Sequence, residues 1–433
     1  MKFKSCKHIE DNLYIAPNEI RSCCQRFFYK GKIRGDAKLV DIGKEENIEN
    51  INLKQKREEM LDDLQNDKID SCLGCPHVYF KEKKPIVNDQ IKFLSIEQHS
   101  ICNLRCTYCS PVYYGGVKTQ YSVVDFFQKM EKKGNLESLD GVAWGGGEPT
   151  LDKSFKDIME IITEYLDGDK YHKVFTNSVR YNSTVQKYID NEKISITTSI
   201  DAGSEEQFKK IRGRDKFYNV FENLEKYAHN KPERVTIKYI FTDENYKLSE
   251  LDAFIKNCKE YSLIDCCFQI SLNFKKDKIP FNILESIVYL YGSLLSCGVK
   301  KIFLDDHIMF RLTALDEKTY KSIKNFCINK NLDILFENNH SDKPLIIFGC
   351  GEIAKKMINK SRYLRSNNNF YLVDSSPNKI GDFMNGKKIN NPDFIKNKDY
   401  GIIISSANTY NEIYTNIKKI QNTSENIINK LVL

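Results

Sequence analysis

From about residue 90 onward, short apolar runs alternate with longer stretches whose apolar residues recur at helical spacing. The runs IKFLSIE (91–97), LDGVAWG (139–145), HKVFTN (172–177), KISITTSID (193–201), RVTIKYIF (234–241) and DCCFQISL (265–272) are short and apolar, with turn-forming or polar segments between them, which predicts six strands. Between them, segments such as VVDFFQKMEKK and SEEQFKKIRG place their apolar side chains on one face of a helix. Strand and helix in regular alternation predict a parallel sheet of the α/β class. Crossover connections are right-handed, so six units wind one way and close partly into an incomplete, TIM-like (β/α)6 barrel. Functional residues of such a sheet belong on the loops after the strands.

The pattern changes at both ends. Residues 1–88 hold short β-like pieces, a Lys/Glu-rich helix candidate (NLKQKREEMLDDLQ) and a CLGC turn, and read as a small cysteine-dependent module. The core runs over 89–338. A polar stretch, FENNHSDKP (336–344), precedes LIIFGCGEIAKKM, which opens a new strand–helix unit, so residues 343–433 read as a separate α/β domain.

Composition narrows the chemistry. The chain has 433 residues and 14 Cys, a cysteine fraction too low for a disulfide scaffold in a chain long enough to bury substantial cores. The net charge of +7 is small beside 66 basic and 59 acidic side chains, which argues against a nucleic-acid partner. There is no apolar run near the roughly 18 residues of a spanning helix, and MKFKSCKHIEDN lacks the apolar stretch of a secretory signal. The expected compartment is the reducing cytoplasm, where clustered cysteines mean metal or redox chemistry. Cys258, Cys266, Cys267, Cys297, Cys327 and Cys350 lie in apolar or helical stretches and read as buried thiols.

Directly after the first core strand comes CNLRCTYCS, with Cys102, Cys106 and Cys109 at C-x3-C-x2-C spacing. Thiolates select zinc, copper(I) or iron-sulfur clusters. A structural zinc site wants four ligands, so zinc would need a distant partner such as His99 or His77, whereas three cysteines on a four-iron cluster leave one iron open. At the end of the second strand stands WGGGEPTL, whose Gly145, Gly146 and Gly147, followed by Glu148, let a ligand approach the main chain.

With these two motifs in order, residues 90 to 335 resemble the radical SAM superfamily, and Tyr108 is the aromatic residue of its C-x3-C-x-aromatic-C signature. The resemblance implies that Cys102, Cys106 and Cys109 hold a [4Fe-4S] cluster whose open iron chelates S-adenosylmethionine. It also implies that one electron, from a donor such as flavodoxin or ferredoxin, cleaves that cofactor. The resulting 5'-deoxyadenosyl radical takes a hydrogen atom from a substrate. By the same resemblance, Gly145 to Glu148 would meet the methionine amino group. Ser199, Asp201 and Arg212, in and after the fourth strand, are candidates for the ribose and carboxylate. Asn177 stands in FTNS where relatives often carry TNG, with Ser178 in place of the glycine.

The amino-terminal cysteines have a spacing of their own. Eleven residues separate Cys6 from Asn18, four separate Asn18 from Cys23, and SCLGCP adds Cys72 and Cys75. This resembles the SPASM/twitch modules of radical SAM enzymes, with Asn18 in place of a glycine and the module placed before the core. The resemblance implies that Cys6, Cys23, Cys72 and Cys75 ligate an auxiliary [4Fe-4S] cluster. Cys24 is the alternative to Cys23, and a four-thiolate zinc site is the alternative to iron and sulfur.

In the tail, Gly349, Gly351 and Ala354 form G-x-G-x-x-A at a strand-to-helix turn, and the next strand ends at Asp374. Gly349, Gly351, Glu352 and Asp374 are candidate nucleotide residues, because a helix N-terminus attracts phosphate and an acidic residue can reach a ribose. The segment resembles the Rossmann-like modules attached to sugar-modifying enzymes, which implies a sugar or nucleotide-sugar substrate. The rival readings are a peptide- or protein-modifying maturase, and a non-catalytic iron-sulfur or zinc protein with a nucleotide-sensing tail.

Overall fold

A computed structural model describes residues 2–42, 51–109, 116–119, 121–166, 170–305, 308, 344–361, 364–365, 369–396, 400–405, 410–421 and 427–430. The polar stretch 336–343 and Cys327 lie outside the described residues. The chain divides into two compact units, Met1–Ile283 with Leu304–Arg311, and Leu284–Phe303 with Leu312–Leu433.

All six core strands form where the apolar runs predict them. In the first unit β1 (Asn12–Ile15), β2 (Glu19–Arg21) and β3 (Lys38–Asp41) precede β4 (Phe93–Ile96), β5 (Gly141–Trp144), β6 (Tyr171–Phe175), β7 (Ser195–Ser199), β8 (Val235–Phe241) and β9 (Cys267–Leu272). They lie side by side in the order β9-β8-β7-β6-β5-β4-β1-β2-β3. Every pairing from β4 to β9 is parallel. The helices between are α2 (Val123–Lys132), α3 (Phe155–Thr163), α4 (Ser183–Asp190), α5 (Glu205–Arg212), α6 (Phe217–Ala228) and α7 (Leu248–Glu260). Each buries one apolar face, as Val123, Phe126, Phe127 and Met130 do in α2. Ser122, Asn182 and Ser204 cap α2, α4 and α5 by accepting a main-chain N–H in the first turn.

The amino-terminal strands are part of this sheet. β1 runs parallel to β4 and antiparallel to β2, and β3 pairs antiparallel with β2. The helix α1 (Leu53–Gln65) locks the junction through Arg57, which is fully buried. Its guanidinium donates to the carbonyls of Asn88 (2.7 Å), Gln90 (2.8 Å) and Asn12 (3.2 Å), so the segment entering β4 and the start of β1 share one cation. Burial pulls the Arg57 pKa down to about 10, which still leaves it charged near neutrality.

The second unit holds β10 (Leu345–Phe348), α8 (Glu352–Lys360), β11 (Phe370–Val373), β12 (Phe383–Met384), β13 (Lys387–Asn390), β14 (Gly401–Ile404), α9 (Tyr410–Gln421) and β15 (Ile427–Lys430). The strand order is β12-β13-β11-β10-β14-β15, parallel except for the β12–β13 hairpin. Alternate residues of β10 serve opposite faces. Leu345 and Ile347 pack with Ala354 and Met357 of α8, while Ile346 and Phe348 pack with Ile413 and Ile417 of α9. No described helix is long and apolar enough to cross a membrane.

Arg57→Met would leave three main-chain carbonyls without their donor. Urea unfolding should show a loss of about 3 kcal/mol, against less than about 0.5 kcal/mol for Lys54→Met on the exposed side of the same helix.

Candidate active site

A cavity of about 360 Å³ opens at the carboxyl ends of the parallel strands, in the size range of small-molecule sites. Its wall includes Glu97 after β4, Gly145 to Gly147 after β5, Phe175 to Asn177 at the end of β6, Thr197 and Ser199 of β7, and Lys238 and Ile240 of β8. Cys102, Leu104, Cys106, Tyr108, Cys109 and Arg212 complete it. The expected site residues of the core therefore line one cavity, except Glu148 and Asp201, which are buried and do not line it.

The thiols differ in surroundings. The Cys102 sulfur accepts from the Leu104 N–H (3.4 Å) and the Asn177 side-chain amide (3.5 Å), and burial pushes its pKa up. Cys106 and Cys109 hydrogen-bond to each other, which pulls Cys106 below the ordinary thiol range and pushes Cys109 above it. His99, one of the two alternative ligands, spends its Nδ1 on the Ile101 N–H (3.1 Å). Among the described residues, no three His, Cys, Asp or Glu side chains are grouped around a single ion.

The cysteine loop is held from beneath by a buried ion pair. Asp201 Oδ2 accepts from Arg212 Nη1 at 2.9 Å and from the Tyr108 hydroxyl at 2.6 Å, and Arg212 also donates to the Tyr108 oxygen. Asp201 Oδ1 accepts the Ile240 N–H (2.7 Å), and Asn245 donates to its carbonyl (2.9 Å), which together hold Asp201 at φ 65°. Burial pushes the Asp201 carboxyl upward and the Ile240 amide opposes it. The main chain joins in. Arg105 N and Thr107 N donate to the carbonyls of Arg212 and Ile211, each at 2.9 Å, at the end of α5. Gly213 turns that end with φ 70°, and a Cβ there would stand 2.6 Å from the Arg105 carbonyl. The Arg212 side chain is buried and already committed to a carboxylate of its own chain. Tyr108 is likewise a positioning residue.

The glycine strip is explained by close packing. A Cβ on Gly146 would stand 2.5 Å from the His99 carbonyl oxygen, and one on Gly147 would stand 2.1 Å from that of Ile101. The amides of Gly145, Gly147 and Glu148 donate to the carbonyls of Ile96, His99 and Ile101. These N–H groups are therefore spent on the preceding loop, and it is the strip's carbonyl edge that no described donor meets. Glu148 binds Thr150 and Thr176 through Oε1 and the Asn177 N–H (2.6 Å) through Oε2, tying the β5 loop to the β6 loop.

At the next loop, Ser178 adopts φ 53°, the left-handed conformation a glycine would take. Its hydroxyl pairs with Thr198 (2.7 Å) and Asn223 donates to its carbonyl (2.9 Å), so the turn is kept. Asn177 can then reach Asn103 (2.6 Å) as well as Cys102. One contact escaped the sequence reading: Lys275, after β9, donates to the carbonyls of Thr107 (3.2 Å) and Cys109 (2.8 Å). A lysine in a polar loop gives no signal of this.

Cys6, Cys23, Cys72 and Cys75 line a second, smaller pocket together. Cys6 opens the helix Lys7–Asp11, Cys23 follows β2, and Cys72 and Cys75 sit on one tight turn where Cys75 N donates to the Cys72 carbonyl. Burial pushes Cys6 and Cys72 up to about 11 and about 12. Cys24 is outside this pocket and lies within the field of Glu97 instead.

In the second unit Gly349 has φ 99° at the turn into α8. Asp374 accepts from Cys350 N (2.6 Å), Ser376 N (2.8 Å) and Lys379 Nζ (3.2 Å). Gly351 is the residue before α8, and a Cβ on it would meet open space; Glu352 is the first helical residue.

Residues 96–255 match the model of the radical SAM superfamily. Over these residues the core is a radical SAM domain. Residues 341–428 match a second model, described as C2185-like, N-terminal. The GTP 3',8-cyclase of Mannheimia succiniciproducens is 29% identical over 164 residues, 37% of this chain and 48% of that protein. The GTP 3',8-cyclase of Yersinia pestis is 31% identical over 135 residues, 31% of this chain and 41% of that protein. The chain thus spans less than half the length of the curated relatives it matches. Among solved structures, anSMEcpe with bound AdoMet and Cp18Cys peptide overlaps 49% of this chain and 62% of its own at 21% identity and a TM-score of 0.39. Streptococcus suis SuiB bound to precursor peptide SuiA overlaps 70% and 73% at 10% identity and a TM-score of 0.41.

Tyr108→Phe removes the hydroxyl shared by Asp201 and Arg212 and should cost about 2 kcal/mol in urea unfolding. Gly147→Ala forces a methyl against main chain that cannot withdraw and should cost about 3 kcal/mol by the same measurement.

Proposed function

We propose that this chain is an S-adenosylmethionine-dependent radical enzyme that modifies a sugar or nucleotide-sugar. The observation that carries the reading is that three thiols and a glycine strip whose carbonyls meet no described donor line the same strand-end cavity. Cys102, Cys106 and Cys109 fit a four-iron cluster, since each thiol faces the cavity and Cys102 already receives two N–H donors of the kind that tune cluster sulfurs. The carbonyl edge of Gly145 to Gly147 fits an ammonium group, which needs acceptors. When bound, the cluster and S-adenosylmethionine supply one-electron cleavage and a carbon radical able to abstract hydrogen.

The chain's own residues supply position. Asp201, Arg212, Tyr108 and Lys275 hold the cysteine loop, Ser199 offers a hydroxyl to the ribose, and the barrel wall keeps water from the reacting carbon. Cys6, Cys23, Cys72 and Cys75 hold an auxiliary [4Fe-4S] cluster in a twitch-like module; their shared pocket supports this over a set containing Cys24. A flavodoxin or ferredoxin of the cytoplasm supplies the electron. The Rossmann-like order of the second unit, with a glycine turn at the end of β10, supports nucleotide-sugar docking there, with Gly349, Gly351 and Glu352 at the phosphate. Asp374 fixes that turn through Cys350 N.

Anaerobic reconstitution followed by dithionite and S-adenosylmethionine should yield 5'-deoxyadenosine, and replacing Cys102, Cys106 and Cys109 by Ala should abolish it. Absence of the product from preparations with intact clusters would refute the enzyme reading. Metal analysis should return about eight irons per chain, falling to about four in Cys72→Ala. About four irons with one zinc in the unmutated protein would assign the amino-terminal site to zinc.

A further inference from the structure

The strands Arg26–Tyr29 and Lys32–Gly35 form a hairpin between β2 and β3, turned by Lys30 and Gly31 at φ 49° and 74°. Alternate side chains take opposite faces. On one face Gln25 and Phe27 line the pocket of Cys6, Cys23, Cys72 and Cys75. Tyr29 packs on the turn between the last two, where a Cβ on Gly74 would stand 2.1 Å from its ring. Arg34 of the returning strand donates to the Asp70 carbonyl (3.2 Å), just before that turn. The hairpin is thus part of the wall of the amino-terminal cysteine site.

Arg26 is on the other face. Its Nε donates to Asp36 Oδ2 (3.0 Å) at the base of the hairpin, and its guanidinium lies 4.9 Å from the centre of the Phe274 ring. Phe274 follows β9, the last of the six predicted core strands, whereas β2 and β3, which flank the hairpin, stand beyond β4, the first. The contact therefore joins the two ends of that run of strands. The residue after Phe274 is Lys275, whose Nζ lies 6.0 Å from the same ring and donates to the Thr107 and Cys109 carbonyls. An aromatic ring attracts cations at such distances, so one side chain meets both the guanidinium of the hairpin and the ammonium that grips the cysteine loop.

We propose that this hairpin couples the amino-terminal cysteine site to the cysteine loop of the cavity, with Arg26 and Phe274 as the positioning residues at the joint. Filling the four-cysteine site fixes the hairpin face that walls it, the opposite face then holds Arg26 on Phe274, and Phe274 sets the position from which Lys275 holds Thr107 and Cys109. The part given to a bound metal rests on the auxiliary-cluster reading above. The joint itself does not.

Hydrogen–deuterium exchange of the anaerobically reconstituted full chain tests the coupling, read at the Asn273 and Lys276 amides, which donate to the Phe241 and Asn273 carbonyls. Arg26→Gln and Phe274→Leu should each speed their exchange about threefold or more, and Arg26→Lys should restore it. Cys72→Ala should loosen both the hairpin and these amides. Combined with Phe274→Leu it should still loosen the hairpin but add nothing at Asn273 and Lys276, a non-additivity that general destabilisation does not produce. Amides of β7 should keep their protection in every variant. Asn273 and Lys276 unchanged in Arg26→Gln, or loosened equally by Cys72→Ala with and without Phe274, overturns the coupling. Metal analysis is a separate arm: no metal at the amino-terminal cysteines of the unmutated chain refutes the auxiliary reading and the part given to a metal, while Arg26→Gln still decides the joint.

Discussion

The buried contact between the Asp201 carboxylate and the Arg212 guanidinium is the point on which the site depends. Neither group has much access to water, so each needs the other, and breaking such a pair costs more than forming it contributes to stability. Its use is positional. Asp201 is fixed by β8 through the Ile240 amide and by Asn245, and Arg212 ends α5. The pair therefore converts the places of one strand and one helix into a place for Tyr108, between two of the three thiols. The α5 carbonyls that accept from Arg105 and Thr107, and the Lys275 ammonium on the far side, hold the same loop by its main chain.

A second constraint is the approach of the β5 loop to the β4 loop. Gly146 and Gly147 let the main chain approach the His99 and Ile101 carbonyls at distances a side chain would forbid, and Gly145, Gly147 and Glu148 donate across this approach. The amides of Gly145 and Gly147 are thereby consumed, and no described donor meets the carbonyls of the strip. Glu148 extends the same construction to β6, and Asn177 carries it on to Cys102. The amino-terminal strands add to the β4 edge of the sheet, which brings Cys23 to its own pocket while the neighbouring Cys24 falls near Glu97 of the core.

Much of this was legible in the sequence because its signals are local. Apolar runs of strand length located all six core strands, and the triplet spacing located the loop that faces the cavity. What was not legible depends on contacts between distant segments. Arg212 reads as a candidate ligand residue until Asp201 and Tyr108 are seen beside it. Ser178 reads as a break in a glycine turn until Thr198 and Asn223 are seen to hold its left-handed backbone. The glycine strip announced close approach, but not that the approaching partner is the chain itself. Pairing of β1 with β4 joins residues about eighty apart and leaves no periodic trace.

The central claim is that the Asp201–Arg212 pair holds the cysteine loop in place, and hydrogen–deuterium exchange of that loop in Arg212→Gln tests it most directly. The account predicts that the Arg105 and Thr107 amides lose most of their protection while those of β6 to β8 keep theirs. Protection of the loop amides unchanged from the unmutated chain would contradict it.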